Sequence, residues 1–288
     1  MKTVTSHRGL ATACFSIALL TAITAGIGVA ARGDGSTAET TTIRGEHIEY
    51  ATTGVYAHNA ERVVAEGVGW DVVTLVLVAP LLLLCVPFIA RGSRRARLVA
   101  LGIMAYFFYQ YLMYAVFWAL GPLFPLFIIL YAASAAVAVW IVKGLDVASL
   151  PEVFTPKFPR RGMAIFCGAI SLLLIGMWVP RIISGLSGDL AGAGLFGHPT
   201  LTIPAMDLGM IVPLTLATMV LVWRRNPWGY LLSVVFAVKG LTMCGAICAM
   251  LISASLVEGT LEVPFFVIFG AATATCLVMG IKMLRSVR

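Results

Sequence analysis

Charge is what this sequence has least of. Asp, Glu, Lys and Arg make up 11% of its 288 residues, where a soluble domain carries roughly 25%. So few charges cannot cover a water-facing surface, which excludes an ordinary soluble enzyme or binding module. No Asn-X-Ser/Thr acceptor occurs, so glycosylation marks no segment as external. The six cysteines all fall inside apolar stretches and none in hydrophilic loops, against an extracellular disulfide framework. Walker A, His-Glu-X-X-His, Cys-X-X-Cys and Gly-X-Ser-X-Gly patterns are missing, which disfavours an ATPase, zincin, thiol oxidoreductase or hydrolase of the usual kinds.

What is present is apolar, at 60% of the chain. A spanning helix needs ~20 mostly apolar residues. Eight stretches qualify: Leu10–Ala31, Trp70–Ala90, Leu98–Leu120, Pro122–Val142, Met163–Ile183, Pro204–Trp223, Gly229–Ser255 and Val263–Met283. The expected fold is all-α, a polytopic bundle whose first partner is the lipid bilayer. The net charge of +7 does not point to nucleic acid, because the basic residues sit in short loops. With the amino terminus cytoplasmic, the inside segments hold Lys2, Arg8, Arg91, Arg94, Arg95, Arg97, Lys143, Lys157, Arg160, Arg161, Arg224, Arg225, Lys282, Arg285 and Arg288. The outside holds only Arg32, Arg44, Arg62 and Arg181. This is the asymmetry of the positive-inside rule. It predicts a multi-pass plasma-membrane protein with both termini in the cytoplasm.

Residues 1–31 read as a first transmembrane helix or signal anchor. The basic start and small-residue end, Gly28-Val29-Ala30-Ala31, also fit a cleavable signal, although the apolar run exceeds a signal core. Residues 32–69 form an extracytoplasmic loop. Its Gly33–Thr42 part reads as flexible. Its end, Asn59–Gly67, reads as a short helix capped by Asn59 and stopped by Gly67, with Val63 and Val64 turned to the membrane or bundle. Residues 70–288 form the seven-helix remainder. The inside loop Leu145–Gly162, with Pro151, Pro156 and Pro159, is expected to be extended.

The halves resemble each other. Asp71 precedes Pro80-Leu81 and a basic turn at Arg91, and Asp207 precedes Pro213-Leu214 and Arg224-Arg225. This suggests two four-helix units in parallel orientation; the alternative is coincidence, since Pro is common in membrane helices.

A few polar residues are costly where they sit. Lys239 falls near the middle of the seventh segment, where a lysine costs roughly 2.5–3.5 kcal/mol. It should face the bundle interior; snorkelling is the alternative. Asp207 lies in the outer part of the sixth segment, and a pair with Lys239 would lower the cost of both. On that reading Lys239→Met leaves Asp207 unpaired. Asp71, beside Trp70, is either a helix-start acid at the interface or part of a site. Segment three carries Gln110, Tyr111 and Tyr114 near its centre, with Phe107, Tyr111, Tyr114 and Trp118 on one face. Phenols at this depth either pack between helices or wall an outward-opening pocket. Asp71, Gln110, Tyr111, Tyr114, Asp207 and Lys239 are therefore the candidate solute-binding residues. Cys244 and Cys248, one turn apart, have soft-ligand spacing, yet the small residues around them fit close packing better; no metal and no cofactor is expected. A Schiff-base role for Lys239 is set aside, since retinal proteins carry that lysine in their last helix and Lys239 is in the penultimate one.

Glu66-Gly67-Val68-Gly69-Trp70-Asp71 and Met206-Asp207-Leu208-Gly209, with Pro213-Leu214, Trp228-Gly229-Tyr230 and Lys239, resemble stretches of uncharacterised polytopic membrane proteins of prokaryotes. The resemblance covers most of the chain from Glu49 on, and implies a membrane bundle and no particular activity. The sequence thus leaves three classes open. They are a small-solute transporter or solute-binding protein, a sensor or accessory subunit acting with other membrane subunits, and a lipid-modifying enzyme.

Overall fold

The computed structural model describes residues 2–287; Met1 and Arg288, the latter counted above among the inside cations, lie outside the described residues. Among these, eight helices are long and apolar enough to cross a membrane: α1 (Lys2–Ala30), α2 (Glu61–Ala90), α3 (Arg94–Phe117), α4 (Phe124–Lys143), α5 (Arg160–Leu186), α6 (Thr202–Trp223), α7 (Pro227–Glu258) and α8 (Val263–Ser286). Helices satisfy every backbone polar group internally, the requirement hydrocarbon imposes. Large apolar side chains stay exposed along the outer faces. On α1, Phe15, Leu19, Ile23 and Ile27 repeat at i+4, opposite a buried stripe that includes Leu10, Cys14, Ile17, Ala18 and Thr21. Such a belt suits contact with lipid.

α3 is the most buried helix and α8 the least. α3 packs on α2, α4 and α7; α7 also packs on α2, α6 and α8; α1 lies against α2 and α4, and α5 against α6. Gly69 on α2 lets the backbone of α7 approach at Ala249, where any side chain would collide. α5 and α8 make little direct backbone contact.

Two helices carry the same irregularity. In α2 the amide of Ala79 reaches back five residues to the Thr74 carbonyl, and in α6 that of Val212 reaches Asp207. A π-turn results in each, immediately before Pro80 and Pro213. A helix-interior proline lacks its N–H and crowds the carbonyl four residues back, and the wider turn accommodates it. Both helices then end in a left-handed residue, Gly92 at φ +80° and Arg225 at φ +57°. A capping side chain follows in each: Ser93 accepts from the Ala96 amide at 3.3 Å, and Asn226 from that of Trp228 at 3.0 Å.

The ends of the bundle differ. At the basic end, Arg97 donates to the carbonyls of Gly144 (2.9 Å) and Gly92 (3.0 Å). The proline-bearing loop there is not extended as expected. It makes a helical turn at Leu150–Val153, and Phe154 and Phe158 pack on Tyr230 with centroids at 5.8 and 4.8 Å. Burial of those rings outweighs the polyproline preference.

At the opposite end a β-hairpin forms, β1 (Thr37–Thr41) against β2 (His47–Ala51), with Thr37 opposite Ala51 and Thr41 opposite His47. Half of the stretch expected to be flexible is thus a strand, Thr37–Thr41, and the described fold is not purely helical. The short helix expected to stop at Gly67 instead runs on as α2 from Glu61. Gly67 serves as the seat for the Trp118 ring, which occupies the space of a side chain. Asn59 does not cap this helix, whose start has no side-chain cap. Its amide donates to the Tyr56 carbonyl (3.0 Å) and its carbonyl accepts from the Ala119 amide (2.8 Å), tying the loop to the α3–α4 turn. Val63 and Val64 are buried in the bundle.

Candidate functional site

A cavity of about 260 Å³ lies among α2, α3, α5, α6, α7 and α8. Most of its wall is apolar and soft: Met113, Met177, Met243, Phe265 and Phe269 are among the lining side chains. Asp207, the first residue of the π-turn in α6, and Lys239 of α7 both line it, and each is only 8% exposed. They do not form the direct ion pair expected from sequence. The Tyr109 hydroxyl donates to Asp207 Oδ1 at 2.6 Å, and the Trp178 indole N–H donates to Oδ2 at 2.9 Å. The Lys239 ammonium stands over the Tyr109 ring, 4.3 Å from its centroid. Tyr109 therefore separates the two charges, bonding one with its edge and the other with its face. A cation over a desolvated aromatic face gains ~2 kcal/mol.

Toward the hairpin end the wall becomes charged. Arg62 donates to Glu66 (3.0 Å), Glu258 (2.8 Å) and Glu262 (2.8 Å), so one guanidinium holds three carboxylates. Arg62 also lies over the Phe196 ring at 5.3 Å, and Arg181 over Trp178 at 5.1 Å. The loop from Ser187 to Leu201 closes this side. The hairpin holds it: Glu46 accepts from the Gly197 amide at 3.0 Å, and Arg44 donates to the Pro199 carbonyl at 3.2 Å.

The other four sequence candidates lie elsewhere. Asp71, Gln110, Tyr111 and Tyr114 are buried on the far side of α3 and do not line the cavity. Asp71 accepts from Tyr56 and Tyr114, the latter at 3.3 Å. Burial, with the Asp71 carboxylate next, pushes the Tyr56 phenol well above its ordinary range, so it stays a donor. Gly28 of α1 faces this pair with no room for a side chain. Nearby, the Thr74 hydroxyl donates to Gln110 Oε1 (3.0 Å) and shares a hydrogen bond with Tyr106 (2.8 Å). Tyr114 stacks on Trp118 with centroids 4.4 Å apart. These hydrogen bonds join α2, α3 and the loop before α2, with α1 packed on them at Gly28; the Tyr111 hydroxyl and the Gln110 amide nitrogen are buried beside them without a hydrogen-bond partner.

Sequence reasoning passed over Tyr109, Trp178, Arg62 and Arg181. Tyr109 and Met113 lie four apart on the face of α3 opposite the aromatic stripe, and that spacing was the available signal. Among the described residues no three His, Cys, Asp or Glu side chains gather as a metal site, and the six cysteines are free thiols. No family model, no curated protein and no solved structure matches this chain.

Proposed function

We propose that this is a plasma-membrane protein that binds, and as a transporter moves, a small solute held in the cavity between α3, α5, α6 and α7. The observation that carries the reading is the Asp207–Tyr109–Lys239 arrangement on the wall of an otherwise apolar cavity. Buried ionisable groups are expensive in a membrane bundle and by default mark solute or ion pathways. Asp207 and Lys239 are the binding residues in this reading, joined by Tyr109 and Trp178. Asp71, Gln110, Tyr111 and Tyr114 support the fold around them. The basic end faces the cytoplasm, with both termini there, and the hairpin end faces out.

The two halves are a parallel repeat in this proposal. Thr74 and Asp207, Pro80 and Pro213, Gly92 and Arg225, Ser93 and Asn226, and Tyr106 and Lys239 all stand at one constant offset, and the first four pairs share their backbone irregularities. The register pairs Thr74, not Asp71, with Asp207. One half thus holds a neutral Thr74–Tyr106 contact where the other holds Asp207 and Lys239. Asymmetry of this kind would assign scaffold to the first half and binding to the second.

Uptake of a substrate panel into vesicles, comparing wild type with Asp207→Asn and Lys239→Met, tests the transport reading. A substrate taken up by wild type and lost in both variants supports it, and uptake that is equal in all three ends it. The hairpin favours a second reading, an accessory subunit: Ile43 at its tip is fully exposed, an apolar group placed where a partner chain would meet it. Site-specific photocrosslinking from position 43 checks that reading.

A further inference from the structure

Six charged side chains line the cavity, and they are not equally occupied. The acids are accounted for. Both oxygens of Asp207 accept hydrogen bonds, from Tyr109 and Trp178, and Glu66 and Glu262 are held by Arg62. The bases divide differently. Arg62 is spent on its three carboxylates, but among the described residues neither the Lys239 ammonium nor the Arg181 guanidinium donates a hydrogen bond to any acceptor. Lys239 keeps three donors and stands over the face of Tyr109; Arg181, partly exposed, keeps five and lies over the face of Trp178. Those two rings are the ones whose polar edges hold Asp207. A lysine more than nine-tenths buried, with every donor unused and a cavity in front of it, is the unpartnered group a ligand would complete.

We infer that the ligand of this cavity is an organic anion: a carboxylate on a compact apolar body, its oxygens taken by Lys239 and Arg181 and its body by the methionine and phenylalanine wall. The inference rests on the proposed binding function and specifies its ligand class. Acceptor complementarity selects the head, because charge-assisted bonds from Lys and Arg are the strong ones available here. Asp207 does not repel it as a bare acid would, being shielded by two donors. Thioether side chains tolerate varied apolar shapes. The volume, about 260 Å³, lies just below the usual ligand-pocket range of ~300–1,000 Å³, which favours a short body. Such acids come from water or from the bilayer, and the two sources call for different probes.

The test uses the purified full chain in detergent, following thermal unfolding and tryptophan fluorescence. The probes are phenylacetate for the aqueous source and decanoate, below its micelle concentration, for the bilayer source, each beside its matching amine and alcohol. The expected result is saturable stabilisation and a change in tryptophan emission with one or both acids and not with the amines or alcohols. Affinity should fall at least about tenfold in Lys239→Met, a lost charge-assisted bond, and be largely kept in Lys239→Arg. Binding by phenylacetate alone assigns the aqueous source, and by decanoate alone the bilayer source. Amines or alcohols that bind as well as the acids overturn the anion assignment, as do acids that bind Lys239→Met as they bind wild type. If an amine binds and Asp207→Asn abolishes it, the binding reading stands and only the ligand class is lost. If no probe binds, the assignment to a small organic anion is withdrawn.

Discussion

Tyr109 donates its hydroxyl to Asp207 at 2.6 Å while its ring carries the Lys239 ammonium at 4.3 Å. Two consequences distinguish this from a direct ion pair. Tyr109→Phe leaves Asp207 Oδ1 without its donor inside the bundle and should cost ~1–3 kcal/mol. Lys239→Met removes a buried cation that has no hydrogen bond, and should lower thermal stability less than Tyr109→Phe does. Breaking a direct buried pair would cost ~3–5 kcal/mol instead. Melting of the two variants side by side decides it: a larger loss for Lys239→Met restores the direct pair.

Gly28 on α1 leaves room for Tyr56 and Asp71 to meet, and a β-carbon there would overlap both polar tips. Gly28→Val should therefore push α1 off α2 or break the hydrogen bond, with a loss of ~1–3 kcal/mol. Gly26, two residues earlier, has open space around it. Gly26→Val should stay near wild type. Equal melting of the two variants would show that α1 does not seat on the Asp71 network.

Asn59 joins two segments with one side chain, donating to the Tyr56 carbonyl and accepting from the Ala119 amide. Asn59→Ala strands the buried Tyr56 carbonyl and the part-buried Ala119 amide and should cost ~1–3 kcal/mol. Asn59→Asp keeps only the acceptor and should fall between. Proteolysis of the hairpin segment, faster in Asn59→Ala than in wild type, is the second measurement. A role limited to helix capping would leave that rate unchanged.

The legible parts of this chain are those that one energetic demand dictates. Eight apolar runs had to be helices, and Lys239 and Asp207 stood out because charge at their depth is costly. The illegible parts depend on side chains meeting across helices. Gly67 looked like a helix stop, but what needs a glycine there is the Trp118 ring. Tyr111 and Tyr114 looked like a pocket wall because they share a face with Phe107 and Trp118. That face turns into the packed network, and Tyr109 on the other face meets the cavity. No periodicity says which of two aromatic faces is packed and which is open. The hairpin had a faint signal in its threonines, β-branched at positions 37, 40 and 41, with Gly45 at φ +83° in the turn; the surrounding small residues masked it.

His198 stacks on Phe117 with centroids 3.9 Å apart, and its Nε2 is buried without a hydrogen bond. Burial holds its pKa below the ordinary histidine value. A base whose folded pKa is depressed binds its proton more readily once the loop has opened. Its contribution is therefore complete above ~6.5, the unperturbed value, and is lost as pH falls from there through the folded pKa. The loop from Ser187 to Leu201 should loosen on acidification, uncovering the charged side of the cavity. Hydrogen exchange of this segment, corrected for its intrinsic pH dependence, should show less protection at pH 5.5 than at pH 7.5. His198→Phe preserves the stacking and removes the titration, so protection in that variant should no longer change between the two values. Protection in wild type that is the same at both would mean the imidazole is solvated in place and does not hold the loop.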